Sequence, residues 1–188
     1  MVNLFQDNTK KSMKDFDKKI KTKRNILKAV GILEIIGGVT GIQLLISIIT
    51  EGLQINLAIL TILLLAIVFY GFSIFAGLKL FMKTENQIIY SQILQYLQTF
   101  AFSFGGITYF LTSGGYLMFG FNMTTSNIGF NFSALFSEFQ IHIANSNQDS
   151  YVYINFMAII LLSLIENSKK VIDLESERKE NYLKRLYE

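Results

Sequence analysis

The sequence of 188 residues contains no cysteine, no proline and no tryptophan, and it contains one histidine. The absence of cysteine excludes disulfide bonds, thiolate metal sites and cysteine nucleophiles. The single histidine, His142, lies in a segment of alternating residues, where a lone histidine is typical of a surface or edge position and not of a metal ligand. We therefore expect no metal site and no cofactor.

Basic residues are absent from two long parts of the sequence, 29–78 and 84–168. Four apolar stretches coincide with these parts: 26–50, 55–80, 88–111 and 152–165. An apolar run of about 18 or more residues with few charges is a candidate transmembrane helix, because about 20 residues are needed to cross the hydrocarbon core. The fourth stretch is short and is expected to extend at one end. The pattern predicts a multi-pass membrane protein.

The positions of the basic residues predict the orientation of the chain. Nine of the 17 basic residues lie in 10–28, two are Lys79 and Lys83, and six lie in 169–185. In a model with four spans, all of them fall on one side of the membrane. Cytoplasmic segments carry the excess of Lys and Arg. We therefore predict that both termini are cytoplasmic and that the membrane is the plasma membrane, as in the inner membrane of a bacterium.

The two ends of the chain are polar and differ in character. The leader, 1–25, places Met13, Phe16 and Ile20 at helical spacing, with lysines on the other face. This pattern fits an amphipathic helix on anionic lipids of the inner leaflet, and it equally fits a solvated charge run that only enforces topology. The tail, 169–188, mixes both signs of charge and is expected to continue the fourth helix into solvent.

The segment 113–150 changes to a period of two. The stretches YLMFGFNM, IGFNF and FQIHI alternate large apolar residues with small or polar ones, which indicates strands. Glycines and the stretches TTSN and ANSNQDS are typical of turns. We expect a small β-rich cap on the outer side. The alternative is that the third helix continues to about residue 118 and is followed by a loop.

These patterns together predict an all-α integral membrane protein, a bundle of four transmembrane helices with a small β-rich or irregular extracytoplasmic cap between helices 3 and 4. The expected order is a cytoplasmic leader (1–25), transmembrane helices 1–3 (26–112), the outer segment (113–150), transmembrane helix 4 (151–168) and a charged cytoplasmic tail (169–188).

One carboxylate, Glu34, lies inside the first predicted span. On a helix, the glycines that lie within about 60° of it are Gly31, Gly37, Gly38 and Gly41. Small residues let helices in a bilayer approach closely, and a carboxylate facing lipid would be costly. We therefore expect this face of the first helix to pack against another helix.

Polar residues of the other predicted spans could form the opposite side of that contact. The second span contributes Ser73 and Gly77. On the third span one face carries Ser91, Gln92, Gln95, Gln98, Thr99 and Gly106. Counted from the nearest lysine, Glu34, Ser73, Gln92 and Ser163 lie at a similar depth, roughly 9–14 Å from the inner boundary. The spacing predicts an intramembrane polar layer: Glu34, Ser73, Gln92, Gln95, Gln98 and Ser163.

Two roles for this layer are open. Glu34 could hold the helices in register through hydrogen bonds to glutamine amides, or it could bind a proton or cation on a transport route. The spans contain no Lys, Arg or His that would pair with it or relay a proton. We favour the structural role.

No sequence motif indicates catalysis. P-loop, H-E-x-x-H and G-x-S-x-G motifs are absent, and there is no nucleophile with a base nearby. We expect a non-catalytic membrane protein that acts as an assembly, accessory or oligomerising subunit of a membrane complex. The expected partners are the lipid bilayer, a second copy or another membrane protein, and not nucleic acid. The alternative is a small oligomeric ion channel or a proton-coupled carrier that uses Glu34.

Overall fold

The computed structural model describes residues 2–51, 56–82, 85–104, 107–123, 128–142 and 150–187. In chain order, the described elements are α1 (Val2–Thr50), α2 (Leu57–Lys79), a short 3-10 helix (Glu85–Gln87), α3 (Ile88–Gln98), β1 (Phe100–Phe104), β2 (Ile107–Met123), β3 (Ile128–His142), β4 (Ser150–Asn155) and α4 (Phe156–Tyr187). Helices and strands therefore share the apolar part of the chain.

Two described helical segments are long and apolar enough to cross a bilayer. They are Ser12–Thr50, within α1, and Leu57–Lys79, which is α2. The side chain of Asn56 accepts a hydrogen bond of 2.9 Å from the main-chain nitrogen of Ile59, and so caps the start of α2. Among the described helices, α1 and α2 are thus the two whose length and composition fit a membrane span.

The prediction of a four-helix transmembrane bundle is wrong. The stretch 88–111, predicted as the third span, forms α3 and then continues as β1 and the start of β2. The reason is the alternation in FAFSF, where Phe100, Phe102 and Phe104 are separated by small residues. Average hydropathy does not distinguish a helix from a strand, whereas a period of two places all three phenylalanines on one face of a strand.

The predicted fourth span, 152–165, is also part strand and part helix. Strand β4 continues to Asn155, where α4 begins. The side-chain oxygen of Asn155 accepts hydrogen bonds from the main-chain nitrogens of Met157 (3.1 Å) and Ala158 (3.4 Å), and so forms the N-cap of α4. The apolar beginning of α4 is too short to cross a bilayer, and the charged tail continues the same helix to Tyr187.

The four described strands form an antiparallel sheet in the order β1-β4-β2-β3. Strand β2 pairs with β1 near its start, with β4 near its end and with β3 along most of its length. Because β1 also pairs with β4, the three strands β1, β4 and β2 close a ring of pairings. The sheet runs from Phe100 to Asn155, and so extends beyond both ends of the predicted cap.

The two faces of this sheet differ sharply. The inner face buries small, polar and aromatic side chains, among them Ser103, Thr108, Tyr116 and Asn155. The outer face exposes large apolar side chains: Phe100, Phe102, Phe104, Ile107, Phe119, Phe121, Met123, Phe130, Phe132, Val152 and Ile154. A sheet that faces water on one side carries polar residues on that side, whereas the outer face of this sheet carries large apolar residues.

The N-terminal part of α1 packs against the C-terminal part of α4, and these two segments are called the helical pair below. The ring centroids of Phe16 and Tyr182 are 6.1 Å apart, and Ile20 packs against a buried cluster that includes Ile172. Lys179 forms an ion pair of 2.7 Å with Asp17. The apolar stripe of the leader thus contacts α4, and the leader is continuous with the first span.

Candidate functional site

The carboxylate of Glu34 is enclosed between α1 and α3. Glu34 is 1% exposed. Its Oε1 atom accepts a hydrogen bond of 2.8 Å from Nε2 of Gln95 and another from the hydroxyl of Ser91, one turn earlier on α3. Helical spacing places both donors on one face of α3, and so they meet a single oxygen of the carboxylate.

A second chain of hydrogen bonds joins α1, α2, α3 and the sheet. The hydroxyl of Ser73 donates to the main-chain oxygen of Glu34 (2.8 Å), and the hydroxyl of Ser113 on β2 donates to Oγ of Ser73 (2.7 Å). The main-chain nitrogen of Ser113 donates to Oε1 of Gln98 (2.8 Å). Residues from four elements therefore meet at one buried polar cluster.

The predicted polar layer is only partly assembled in space. The structure brings Ser73, Gln95 and Gln98 together around Glu34, whereas Gln92 is half-buried outside these bonds. Ser163 is exposed, and its hydroxyl donates to the main-chain oxygen of Ile159 in its own helix (2.9 Å). Depth from the nearest lysine did not distinguish the inward face of α4 from its outward face.

Two further members of the cluster, Ser91 and Ser113, were not predicted as site residues. Ser91 precedes Gln95 by four residues, and helical periodicity placed it on the same face of the third span, although it was not included in the predicted layer. Ser113 reaches the cluster because β2 crosses α1 and α3. The approach of that strand has no signal in the sequence around Ser113.

Some polar atoms of the cluster are buried without a hydrogen-bond partner. They include Oε2 of Glu34 and Nε2 of Gln98. A buried polar atom without a partner carries an energetic penalty of about 1–3 kcal/mol. Lys and Arg are absent from 29–78 and 84–168, the parts of the sequence that supply this cluster. Within the described residues no group of three or more His, Cys, Asp or Glu side chains could hold a metal ion.

The predicted packing glycines lie at close contacts within the chain. A Cβ atom added to Gly31 would lie 2.6 Å from the main-chain oxygen of Gly77, and one added to Gly38 would lie 2.7 Å from that of Tyr70. Gly37 lies against the backbone of Gly114 in the sheet. The glycine face of α1 is thus filled by α2 and by β2.

The two remaining predicted positions are Gly41 and Gly106. Gly41 lies against the ring of Tyr70 on α2. Gly106 lies outside the described residues. The backbone of His142 pairs with that of Thr108 at the end of β3.

An irregularity in the sheet creates a second polar region. Between the pairs Thr112–Glu138 and Gly115–Phe136, two residues of β2 face one residue of β3, Ser137. Ser137 has a φ of 47°, an uncommon value for a residue other than glycine. Its hydroxyl accepts a hydrogen bond from the main-chain nitrogen of Gly114 (2.9 Å). A hydrogen bond therefore holds this bulge in place.

Comparisons with known proteins supply no assignment. No protein-family model matches the chain, and neither the curated proteins nor the solved structures include a match. Function is therefore inferred from the residues and their contacts alone.

Proposed function

We propose that this chain is a non-catalytic, multi-pass protein of the bacterial plasma membrane that acts as an assembly or accessory subunit of a membrane complex. In this proposal α1 and α2 cross the bilayer as an antiparallel pair. The carboxylate of Glu34 holds α1 and α3 in register, which is consistent with its hydrogen bonds to Ser91 and Gln95 of the same chain.

The proposed orientation places both termini in the cytoplasm. Lys28 lies where the apolar part of α1 begins and Lys79 where α2 ends, and in this arrangement both face the same side, with the other basic residues beyond them. The positive-inside tendency favours this arrangement. The lysines of the leader would then lie near anionic lipids of the inner leaflet, which attract them by about 1 kcal/mol per residue.

The observation that carries the assembly role is the helical pair. It projects beyond the apolar part of α1 and encloses a groove of about 660 Å³ between α1 and α4. Asp15, Lys18, Lys19 and Lys23 lie on one wall of the groove, and Val171 and Glu175 on the other. Lys19 forms an ion pair of 3.3 Å with Glu175 across it. Lys18 and Lys23 have no ion pair among the described residues, and these two charges in a groove are a suitable surface for an acidic segment of a second copy or of another subunit.

The proposal is tested by extracting the full chain in a mild maltoside detergent and measuring its native mass. We expect a homo-oligomer or a complex with a second subunit, and we expect Lys18→Glu with Lys23→Glu to return the chain to the monomer mass. Lys14→Glu is the matched control, because Lys14 is exposed on the same helix outside the groove. A monomer for the wild-type chain, stable across detergents, would exclude the assembly role.

A second candidate function is a proton or cation carrier that uses Glu34. The specific observation in its favour is the unpartnered Oε2 of a buried carboxylate whose other oxygen accepts hydrogen bonds from Ser91 and Gln95. Reconstitution into liposomes separates the two functions. Proton or cation flux that disappears in a well-folded Glu34→Gln variant would establish the carrier and displace the assembly role.

A further inference from the structure

A separate cavity lies between the outer half of α1 and the bulged part of the sheet. Its volume is about 350 Å³. Its apolar wall includes Leu44, Ile48 and Leu135, and its polar end is formed by Tyr116 and Glu138. Cavities of roughly 300–1,000 Å³ with a mostly apolar lining and a few convergent polar groups are typical of small-molecule sites.

The bulge determines where the side chain of Glu138 points. Before the bulge, Leu135 pairs with Tyr116, and both lie on the inner face of the sheet. In a regular strand, Glu138 would then lie on the outer face, because it is three positions after Leu135 and successive side chains alternate between the faces. The bulge shifts the alternation by one residue, and Glu138 pairs with the buried Thr112 on the inner face. The bulge, in which Ser137 has an uncommon positive φ, thus places the carboxylate of Glu138 at the cavity.

The carboxylate of Glu138 is held by neutral donors. The hydroxyl of Tyr116 donates to one oxygen, and Nε2 of Gln140 donates to the other at 2.6 Å. Burial and the hydrogen bond to Glu138 raise the pKa of Tyr116 to about 12, so its hydroxyl remains a donor at neutral pH. These bonds orient the carboxyl group, and neither donor carries a positive charge.

Among the described residues that line the cavity, none is Lys or Arg. The residues lining the cavity belong to 29–78 and 84–168, which contain no Lys or Arg. A half-buried carboxylate without a cation is unfavourable, and a cation of the right shape would relieve this. A cationic ligand would supply the positive charge that the lining residues lack.

We propose that this cavity binds an organic ammonium ion with an apolar tail. The ammonium group would lie against Glu138 and near the rings of Tyr116 and Tyr70, since aromatic faces attract cations. The tail would lie along Leu44 and Ile48. A small hydrated metal ion does not suit the cavity, because an apolar wall offers no oxygen ligands in place of its water.

Two sources supply this chemistry: a free hydrophobic amine, or the ammonium headgroup of a membrane lipid. Leu44 and Ile48 belong to the apolar part of α1, so either ligand could enter at the level of the bilayer. The two sources share the ammonium group, and they can be distinguished by competition between lipids.

The test uses the full chain in maltoside micelles, titrated with hexyltrimethylammonium in a calorimeter. We expect saturable binding, and no binding of hexanoate, which carries a tail of similar length and the opposite charge. Glu138→Gln should weaken the binding of hexyltrimethylammonium at least about tenfold. The matched control is Glu166→Gln: Glu166 also accepts a hydrogen bond from a tyrosine (Tyr96, 3.2 Å) but is exposed outside the cavity.

A second variant covers the case in which Glu138→Gln fails to fold. Ile48→Trp narrows the cavity without touching the carboxylate, and it should weaken binding at an unchanged melting temperature. Equal affinity in a folded Glu138→Gln or Ile48→Trp variant, or equal binding of hexanoate, would overturn the proposal. Hexyltrimethylammonium could bind more weakly in micelles that contain phosphatidylethanolamine than in micelles that contain phosphatidylglycerol. That result would show competition by the ammonium headgroup and would assign the site to a lipid. Equal binding in both would assign it to a free amine.

Discussion

Gly37 on α1 lies directly against the backbone of Gly114, at the bulge of β2. This contact joins the first candidate span to the sheet, because nearby hydrogen bonds tie the same parts of the chain together. The hydroxyl of Ser137 donates to the main-chain oxygen of Gly37 (3.0 Å) and accepts from the nitrogen of Gly114. Gly114 itself has a φ of +89°, which favours glycine.

Gly37→Ala should therefore destabilise the protein. A Cβ atom at this position would overlap the nitrogen and Cα of Gly114, and backbone atoms cannot move aside as the end of a side chain can. Overpacking of this kind typically lowers the free energy of unfolding by about 1–3 kcal/mol. Thermal unfolding in detergent measures the effect. Gly71→Ala is the matched control, since a Cβ at Gly71 meets nothing within 4 Å. Equal stability of the two variants would contradict the close contact.

Glu34→Gln should be nearly neutral for stability, whereas Glu34→Leu should be harmful. Glutamine retains an oxygen that can accept from Ser91 and Gln95. Leucine removes that acceptor and leaves two buried donors unpaired, at about 1–3 kcal/mol each. Melting temperatures of the two variants in the same detergent provide the comparison. If Glu34→Gln proved as unstable as Glu34→Leu, the proposal that Glu34 acts only by accepting hydrogen bonds that hold the helices in register would be refuted.

The two candidate spans could be predicted from the sequence because each contains a long apolar run with a lysine at one end. The same hydropathy average failed at Phe100, because it ignores the period of the pattern. The alternation of phenylalanine with alanine and serine in β1 was present in the sequence and indicated a strand.

The contacts of Glu34 likewise include some that could be predicted from the sequence and some that could not. The proximity of Gln95 could be inferred, since helical geometry relates positions within α1 and within α3. The contribution of Ser113 could not, because it depends on the path of β2 across the helices. The position of the Glu138 side chain on the inner face depends on a bulge. A bulge shifts the alternation of side chains between the two faces, which is the pattern used to predict strand faces from sequence.

Cysteine substitution tests the proposed orientation, and the native chain contributes no background because it has no cysteine. Glu51, just after α1, and Met82, just after α2, are both exposed and lie at opposite ends of the two helices. We expect an impermeant thiol reagent to label Glu51→Cys in intact cells and to label Met82→Cys only after permeabilisation. Labelling of Met82→Cys in intact cells would reverse or exclude the proposed topology.

A single tryptophan placed on the outer face of the sheet tests whether that face contacts lipid. Phe121 is 45% exposed, and its ring lies 4.6 Å from that of Phe130 across the strand pair. The outer face carries large apolar side chains from all four strands, an apolar surface that is unusual for a water-facing sheet. Because the chain has no tryptophan of its own, Phe121→Trp provides a unique fluorophore.

We expect brominated lipids to quench the fluorescence of Phe121→Trp strongly in reconstituted bilayers. Leu174→Trp is the control, because Leu174 is similarly exposed (43%) but lies in the charged part of α4. It should be quenched much less, with an emission maximum at longer wavelength, because water surrounds it. If both tryptophans were quenched equally weakly, the outer face of the sheet would lie outside the hydrocarbon, and its phenylalanines would need a protein partner to cover them.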